Sequence, residues 1–338
     1  MNQFGQFFRV QCFGSSHGPC VGVTIDAPAA GLVLSEADFE AALERRRGGK
    51  PGTTSRVETD RPIIVSGCLN GKTTGGPLTL LFENKNHRSE DYDGLTQIFR
   101  PGHADWAAEV KYKGFQEKAG GGIFSGRMTL TLVAAGVVAR KQLLSSIRIR
   151  ARVLEVGGMP VDSEDDAELQ SLLRTCQQEG DSVGALVECV CEGVPAGWGE
   201  PFFNSVESVL AHAVFSIPGV RGIEFGDGFK ATAMRGSEHN DPYVADGGRT
   251  QKNGAGGVNG GITNGNPIVF RVAFKPTSSI ACTQQTWDEH RQQMTALRIG
   301  GRHDVCFALR TPVVVESVAA MVLMDFQCAN ECGNTCIR

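Results

Sequence analysis

Three histidines stand far apart in the chain but in similar company: Gly14-Ser-Ser-His17-Gly18, Arg100-Pro-Gly-His103-Ala-Asp105 and Gly300-Gly-Arg302-His303-Asp304. Each has glycine beside it, and glycine lets backbone come close to a ligand. Arginine grips carboxylate or phosphate in a planar fork, and imidazole carries a proton near neutral pH. Binding of an anionic ligand coupled to proton transfer is the chemistry these residues could do together. Because the segments are so distant, they predict a site that exists only once the chain has folded.

Other cations share this setting. Arg45, Arg46, Arg47, Lys50, Arg56, Arg100, Arg127 and Arg302 all lie near glycine-rich turns. As a group they would suit a substrate bearing phosphate and carboxylates, whereas any one alone is as well explained by a surface ion pair. Gly120-Gly-Gly-Ile-Phe-Ser125-Gly126-Arg127 leads into an apolar run. Its amides and Ser125 would face an anion at a helix N-terminus, or else form a tight packing turn. His17 and His103 have room beside them and read as acid or base. Asp304 follows Arg302 and His303, two potential cations that would tune its acidity. His87, His212, His239 and His290 lack such a setting and read as structural or exposed.

These groups need elements to position them. Strand patterns fall at 21–25, 63–66, 78–82, 147–156, 185–192 and 267–274. Helical patterns fall at 128–145, 165–179, 204–216, 285–297 and 312–326. A further helix is expected to start with Ser35 as N-cap, carry Glu36 and Asp38 in its first turn, and end with Arg45–Arg47 before Gly48 and Gly49. The 312–326 segment is apolar apart from Glu316 and Asp325, and should be buried centrally or at a subunit interface. With no repeat and no linker, the expectation is one mixed domain over residues 1–326 and a cysteine-bearing tail at 327–338.

Composition excludes several classes. A formal net charge of −4 over 338 residues argues against a general nucleic-acid binder. Eleven cysteines in so long a chain read as reduced, mostly buried thiols rather than a disulfide scaffold. Cys189 and Cys191 would share one face of a strand. Cys328, Cys332 and Cys336 recur at helical spacing without a histidine and read as a thiol cluster, not a metal centre. No secretory leader pattern opens the sequence, and the uncharged run from Met128 to Ala139 is too short to cross a bilayer. A soluble, cytoplasmic protein without membrane or nucleic-acid partners is expected. Gly254–Gly261 is followed by a strand rather than a helix, so it is no dinucleotide fingerprint, and no P-loop is present.

Taken in order, the motifs resemble one family. Phe13-Gly-Ser-Ser-His-Gly-Pro, Arg45-Arg-Arg-Gly-Gly, Arg100-Pro-Gly-His-Ala-Asp, Gly120-Gly-Gly-Ile-Phe-Ser-Gly-Arg, Pro218-Gly-Val-Arg-Gly-Ile-Glu-Phe-Gly-Asp-Gly-Phe, Gly256-Gly-Val-Asn-Gly-Gly-Ile, Lys275-Pro-Thr-Ser-Ser-Ile and Gly301-Arg-His-Asp-Val-Cys are similar to chorismate synthase, from about Phe4 to Asp325. The resemblance implies an α+β fold, a β-α-β sandwich with a helical layer between antiparallel sheets, assembled as a homotetramer. It implies an anti-1,4 elimination of phosphate from 5-enolpyruvylshikimate-3-phosphate that uses reduced FMN, with NADPH as one source of electrons. His17 would assist the departing phosphate, His103 would sit beside the flavin, and Asp304 would belong to the base near flavin N5. Arg46, Arg47, Arg100 and Arg127 would hold substrate anions. Ser125, Gly126, Pro218, Gly219, Gly260, Lys275, Pro276, Thr277, Ser278, Ser279 and Arg302 would hold FMN.

The chain also departs from the family pattern. Ser15 stands where a glutamate is usual, and the segment after Arg47 is a residue shorter and lacks a further arginine. Ile123, Phe124, Gly126 and Met128 replace Arg, Ser, Ala and Glu, and Val305 replaces a proline. These changes motivate a second reading, a repurposed relative that binds flavin or an anion without eliminating phosphate.

Overall fold

The apolar run 129–139 is buried along its whole length, threonines included, and so is 313–327. Helices without a polar face must lie between other layers. The computed structural model, which describes residues 2–56, 58–85, 98–163 and 165–335, places both there. They are α3 (Thr129–Arg140) and α7 (Pro312–Thr335), and α1 (Ala37–Arg46) and α5 (Val206–Val214) pack beside them. Gly136 allows α3 and α7 to cross closely, because a Cβ there would lie 2.3 Å from the Cβ of Ser317.

One five-stranded antiparallel sheet lies on the α3 side. Its order is β1 (Gln3–Phe4), β2 (Arg9–Gly14), β3 (Cys20–Asp26), β7 (Leu78–Glu83), β4 (Ile63–Ser66), with a small hairpin, β5 (Cys68–Leu69) and β6 (Lys72–Thr73), between β4 and β7. The second, also five-stranded and antiparallel, packs on α7 in the order β11 (Val220–Phe225), β14 (Ile268–Phe274), β10 (Ala185–Glu192), β8 (Arg148–Val156), β9 (Met159–Pro160). Period-two burial turns Leu78, Leu80 and Phe82 inward from one sheet and Ile268, Phe270, Val272 and Phe274 from the other. Each such side chain contributes roughly 1.5–3 kcal/mol by burial. Cys189 and Cys191 point the same way on β10, as their alternation predicts. The sheet, helix layer, sheet arrangement is the expected sandwich.

Two carboxylates interrupt the apolar layer and are fully engaged. Glu316 accepts both Arg45 Nη atoms at 2.7 and 2.8 Å, Arg140 at 2.9 Å and the Ala151 N–H at 2.8 Å. Asp325 accepts the N–H groups of Gln6, Phe7 and Phe8, pinning the first loop to the core.

Several expectations need correction. Residues 285–297 form a hairpin, β15 (Gln284–Asp288) and β16 (Gln293–Leu297), not a helix. Asp288 Oδ1 accepts the N–H groups of His290 and Arg291, and Gln292 adopts φ 53°, so a local turn defeats the helical pattern. Ser35 does not cap α1. The N-cap position falls on Glu36, and Ser35 instead donates through its N–H and hydroxyl to Asp38 Oδ2. Helix α7 continues past Phe326 through Cys328 and Cys332, so the boundary expected there falls inside one helix. Among the described residues it is the one helix long and apolar enough to span a bilayer, and 83% of that apolar stretch is buried inside the protein. Strand β2 and a helix α2 (Asp105–Tyr112) were not foreseen. His87 and Cys336 lie outside the described residues. The remaining elements are α4 (Ala167–Glu179), a single turn α6 (Gly236–His239), and the hairpin of β12 (Val258–Asn259) and β13 (Ile262–Thr263).

Candidate active site

Loops from both halves of the sandwich meet around a cavity of about 580 Å³. The β2–β3 turn brings His17, the end of α1 brings Arg46 and Arg47, and the segment before β4 brings Thr54, Arg56, Glu58 and Asp60. Arg100 and His103 precede α2, and Ser125, Gly126 and Arg127 precede α3. From the second sheet come Pro218 and Gly219 before β11 and residues 275–279 after β14, and Arg302 and Asp304 lie ahead of α7. Every expected site residue but one thus lines one space. The exception is Gly260, in the β12–β13 turn, which is not among the lining residues and where an added Cβ would meet nothing within 4 Å. Arg45 and Lys50 line a smaller neighbouring cavity of about 280 Å³.

Nine lysines and arginines line the larger cavity against six carboxylates, a formal excess of three positive charges. The buried cations are paired with care. Asp60, with its side chain 2% exposed, accepts from Arg46 at 3.3 Å and also from Arg127. It does so from the left-handed region, φ 50°, which an Asx side chain tolerates. Arg46 also donates to Thr129 Oγ1 and to the carbonyls of Gly126 and Arg127, so it braces the turn into α3. Burial, reinforced by Arg310, pushes its guanidinium down to about 9, still protonated at neutral pH. Arg127 Nε donates to Asn84 Oδ1 at 3.0 Å. Arg100 grips both Asp105 oxygens at 2.7 Å and the Gly120 carbonyl at 2.8 Å. Burial pulls the Asp105 carboxyl up, but its bonds to Arg100 outweigh this and hold it below the usual range.

The proton-carrying candidates have distinct settings. His17 Nδ1 lies 2.9 Å from Ser16 Oγ, and its ring lies against Gly120 so closely that a Cβ there would be 2.2 Å from Cε1. His103 Nε2 lies 2.9 Å from Ser279 Oγ. Burial and the adjacent Arg100 push its imidazole down to about 4, so it is neutral at neutral pH. Asp304 accepts from Arg310 Nε and Nη2 at 3.0 and 2.8 Å and from the Thr54 N–H at 2.9 Å. Arg310 in turn stacks over Phe307 at 4.9 Å. The neighbouring Cys306 thiol is pushed up to about 12 by burial and supplies no thiolate. Lys275 Nζ donates to the Gly102 carbonyl at 2.6 Å and to Ser278 Oγ, and burial lowers its pKa.

Among the described residues, five buried side-chain polar atoms have no hydrogen-bond partner, and three of them, Arg47 Nε, Gln116 Oε1 and Thr277 Oγ1, belong to residues lining this cavity. An unsatisfied buried polar atom costs about 1–3 kcal/mol, which a ligand offering partners would recover. Thr54, Glu58, Asp60, Gln116, Phe307 and Arg310 were missed by the motif reading. The one signal that could have led to Asp60 is the general need of buried guanidinium groups for counter-charge.

The sequence model of one family, described as chorismate synthase, matches residues 8–328. The chain belongs to the chorismate synthase family. A chorismate synthase of Chitinophaga pinensis is 54% identical over 99% of this chain and 98% of its own length. That of Korarchaeum cryptofilum is 44% identical over 95% and 96%. A crystal structure of chorismate synthase superposes with a TM-score of 0.71 at 26% identity, covering 96% of this chain and 93% of that one.

The chain's departures from the family pattern have definite places in the fold. Ser15 is buried, and its hydroxyl accepts the Gly18 N–H at 3.0 Å, closing the His17 turn where a glutamate is usual. Ile123 and Phe124 stand at the cavity 41% and 45% exposed, so they add apolar surface to a cationic site. Near the missing arginine, Arg56 lines the cavity, paired with Glu58 at 2.8 Å, whereas Lys50 does not line it.

Proposed function

We propose that this protein converts 5-enolpyruvylshikimate-3-phosphate to chorismate and phosphate by anti-1,4 elimination in the cavity described above, with reduced FMN bound beside the substrate. The observation that carries the reading is the meeting of His17 and Asp304 within one lining that has surplus positive charge and unsatisfied polar atoms. A substrate with one phosphate and two carboxylates, next to an anionic flavin, requires that surplus.

The residues present fit a flavin. The buried, partnerless Thr277 hydroxyl, Ser279 and the Lys275 ammonium offer hydroxyl and cationic contacts on one short segment, and Pro218, Gly219, Ser125, Gly126 and Arg302 complete that group. When bound, reduced FMN supplies transient electron density that eases phosphate departure, with no net redox change. Arg46, Arg100 and Arg127 provide a fixed positive field, and Arg47 offers its free Nε to a substrate anion. His17 gives a proton to the leaving phosphate. Asp304, oriented by Arg310 and Thr54, receives the departing hydrogen as a proton. His103, neutral, hydrogen-bonds without adding charge. NADPH is the reductant to test against a chemical one. A cytoplasmic homotetramer is part of the same reading, in which Phe202 and Phe203, exposed at 87% and 91%, offer apolar surface to another copy.

The test is a division of roles. His17→Ala and Asp304→Asn should keep FMN affinity while turnover falls about 100-fold or more, and Lys275→Ala should weaken FMN binding about tenfold. Equal loss of flavin affinity in all three would contradict the assignment.

A further inference from the structure

The His17 turn and Arg127 come from separate parts of the chain, yet one side chain touches both. Asn84 directly follows β7, is 6% exposed and does not line the cavity. Its Nδ2 donates to the Ser15 carbonyl at 2.9 Å and the Gly18 carbonyl at 2.8 Å, on either side of His17. Its Oδ1 accepts from Arg127 Nε at 3.0 Å, and its backbone N–H donates to the Pro19 carbonyl at 3.0 Å. Chemistry settles the amide's orientation: guanidinium only donates and carbonyls only accept, so the oxygen must face Arg127 and the nitrogen the turn.

Each remaining contact holds one point of the turn or closes the turn on itself, as the Ser15 hydroxyl does by accepting the Gly18 N–H at 3.0 Å. Ser16 N–H reaches the Gly122 carbonyl at 3.2 Å, and Arg56 reaches the Ser16 carbonyl at 3.3 Å. The Asn84 amide is the only single group among the described contacts that holds both flanks of His17 and an arginine of the cavity at once. We propose that Asn84 is a positioning residue that sets His17 relative to Arg127, so that proton donor and anion holder keep one spacing. It acts through the turn and touches no substrate. The inference rests on the reading of His17 as proton donor and Arg127 as anion holder. No other side chain of this length offers both arms: aspartate could still accept from Arg127, but its ionised carboxylate would repel the two carbonyls, and glutamine carries the same amide on a longer stem.

Two variants separate the arms. Asn84→Asp keeps the Arg127 contact and loses the turn, whereas Asn84→Ala loses both. Asn84→Asp should lower kcat about tenfold or more with KM within about threefold and FMN affinity unchanged. Its kcat relative to wild type should recover toward acid pH, where a protonated carboxyl donates again. Asn84→Ala should lose kcat similarly and also raise KM about fivefold or more as Arg127 loosens. Hydrogen exchange over residues 14–20 should quicken about tenfold in both variants and remain unchanged over α3 and α7. Wild-type kcat in Asn84→Asp, or wild-type exchange over 14–20, would overturn the proposal. The exchange result stands even if the wild type made no chorismate, an outcome that would refute the functional reading instead. Should Asn84→Asp not fold, exchange and kinetics of Asn84→Ala decide the matter on the same terms.

Discussion

Asp60 and Thr277 belong to the same cavity but stand at opposite extremes of satisfaction. Asp60 accepts from two buried guanidinium groups and is almost wholly enclosed; of the arginines it holds, Arg46 is tied to backbone carbonyls of the turn into α3 and Arg127 to the Asn84 side chain. Among the described residues Thr277 Oγ1 is buried with no partner, on a segment where Lys275 donates to two neutral oxygens. The first region balances its charge within the protein, and the second leaves a buried hydroxyl for the proposed flavin to satisfy. Charge in the Asp60 cluster is therefore part of the fold, and its loss should cost stability and activity together. Groups of the 275–279 segment should cost ligand affinity and leave the fold intact.

The largest effect expected from this contrast is at Asp60. Asp60→Asn keeps the left-handed backbone but leaves Arg46 and Arg127 without counter-charge, and should destabilise the protein by about 3–5 kcal/mol in urea unfolding. An unchanged midpoint would erase the distinction between the two regions. Next is Arg310, which orients Asp304. Arg310→Met should lower kcat by about 10–100-fold with FMN affinity held, and steady-state kinetics beside flavin titration will show whether the two separate.

A smaller effect follows from His103. Its folded pKa of about 4 lies below the ordinary value of 6.5, so the unfolded chain binds the extra proton between those values. Stability should therefore fall as pH drops through that window, by roughly 2 kcal/mol between pH 7 and pH 5 from this group. Urea unfolding of His103→Gln should show a loss smaller by about that amount, and parallel pH profiles for the two proteins would contradict it. The smallest effect belongs to Thr277. Thr277→Val removes an atom that has no partner in the protein, so it should weaken FMN about fivefold and leave Tm unchanged or slightly raised. Thermal unfolding without and with FMN checks both halves.

The same contrast explains what was legible in the sequence. The α3 and α7 layer and the alternating strands β7, β10 and β14 follow from hydrophobic period, which is local information. The 285–297 hairpin was misread because a turn organised by Asp288 outweighs a weak helical pattern. The histidines, arginines and the 275–279 turn were legible as motifs, and the fold brings them together. Their partners were not: Asp60, Asn84 and Arg310 stand in no distinctive pattern, and each matters only through a residue distant in sequence or on another element. Gly260 shows the converse, a motif residue that the fold sets apart from its own chain's cavity.

The most direct test is an anaerobic assay with 5-enolpyruvylshikimate-3-phosphate and chemically reduced FMN, following chorismate and phosphate together. The account predicts both products in equal amounts, with FMN acting catalytically and undergoing no net oxidation. A folded, FMN-bound protein that releases neither product would contradict it, and the 48–52 and 123–128 segments would be the first to restore to the family pattern.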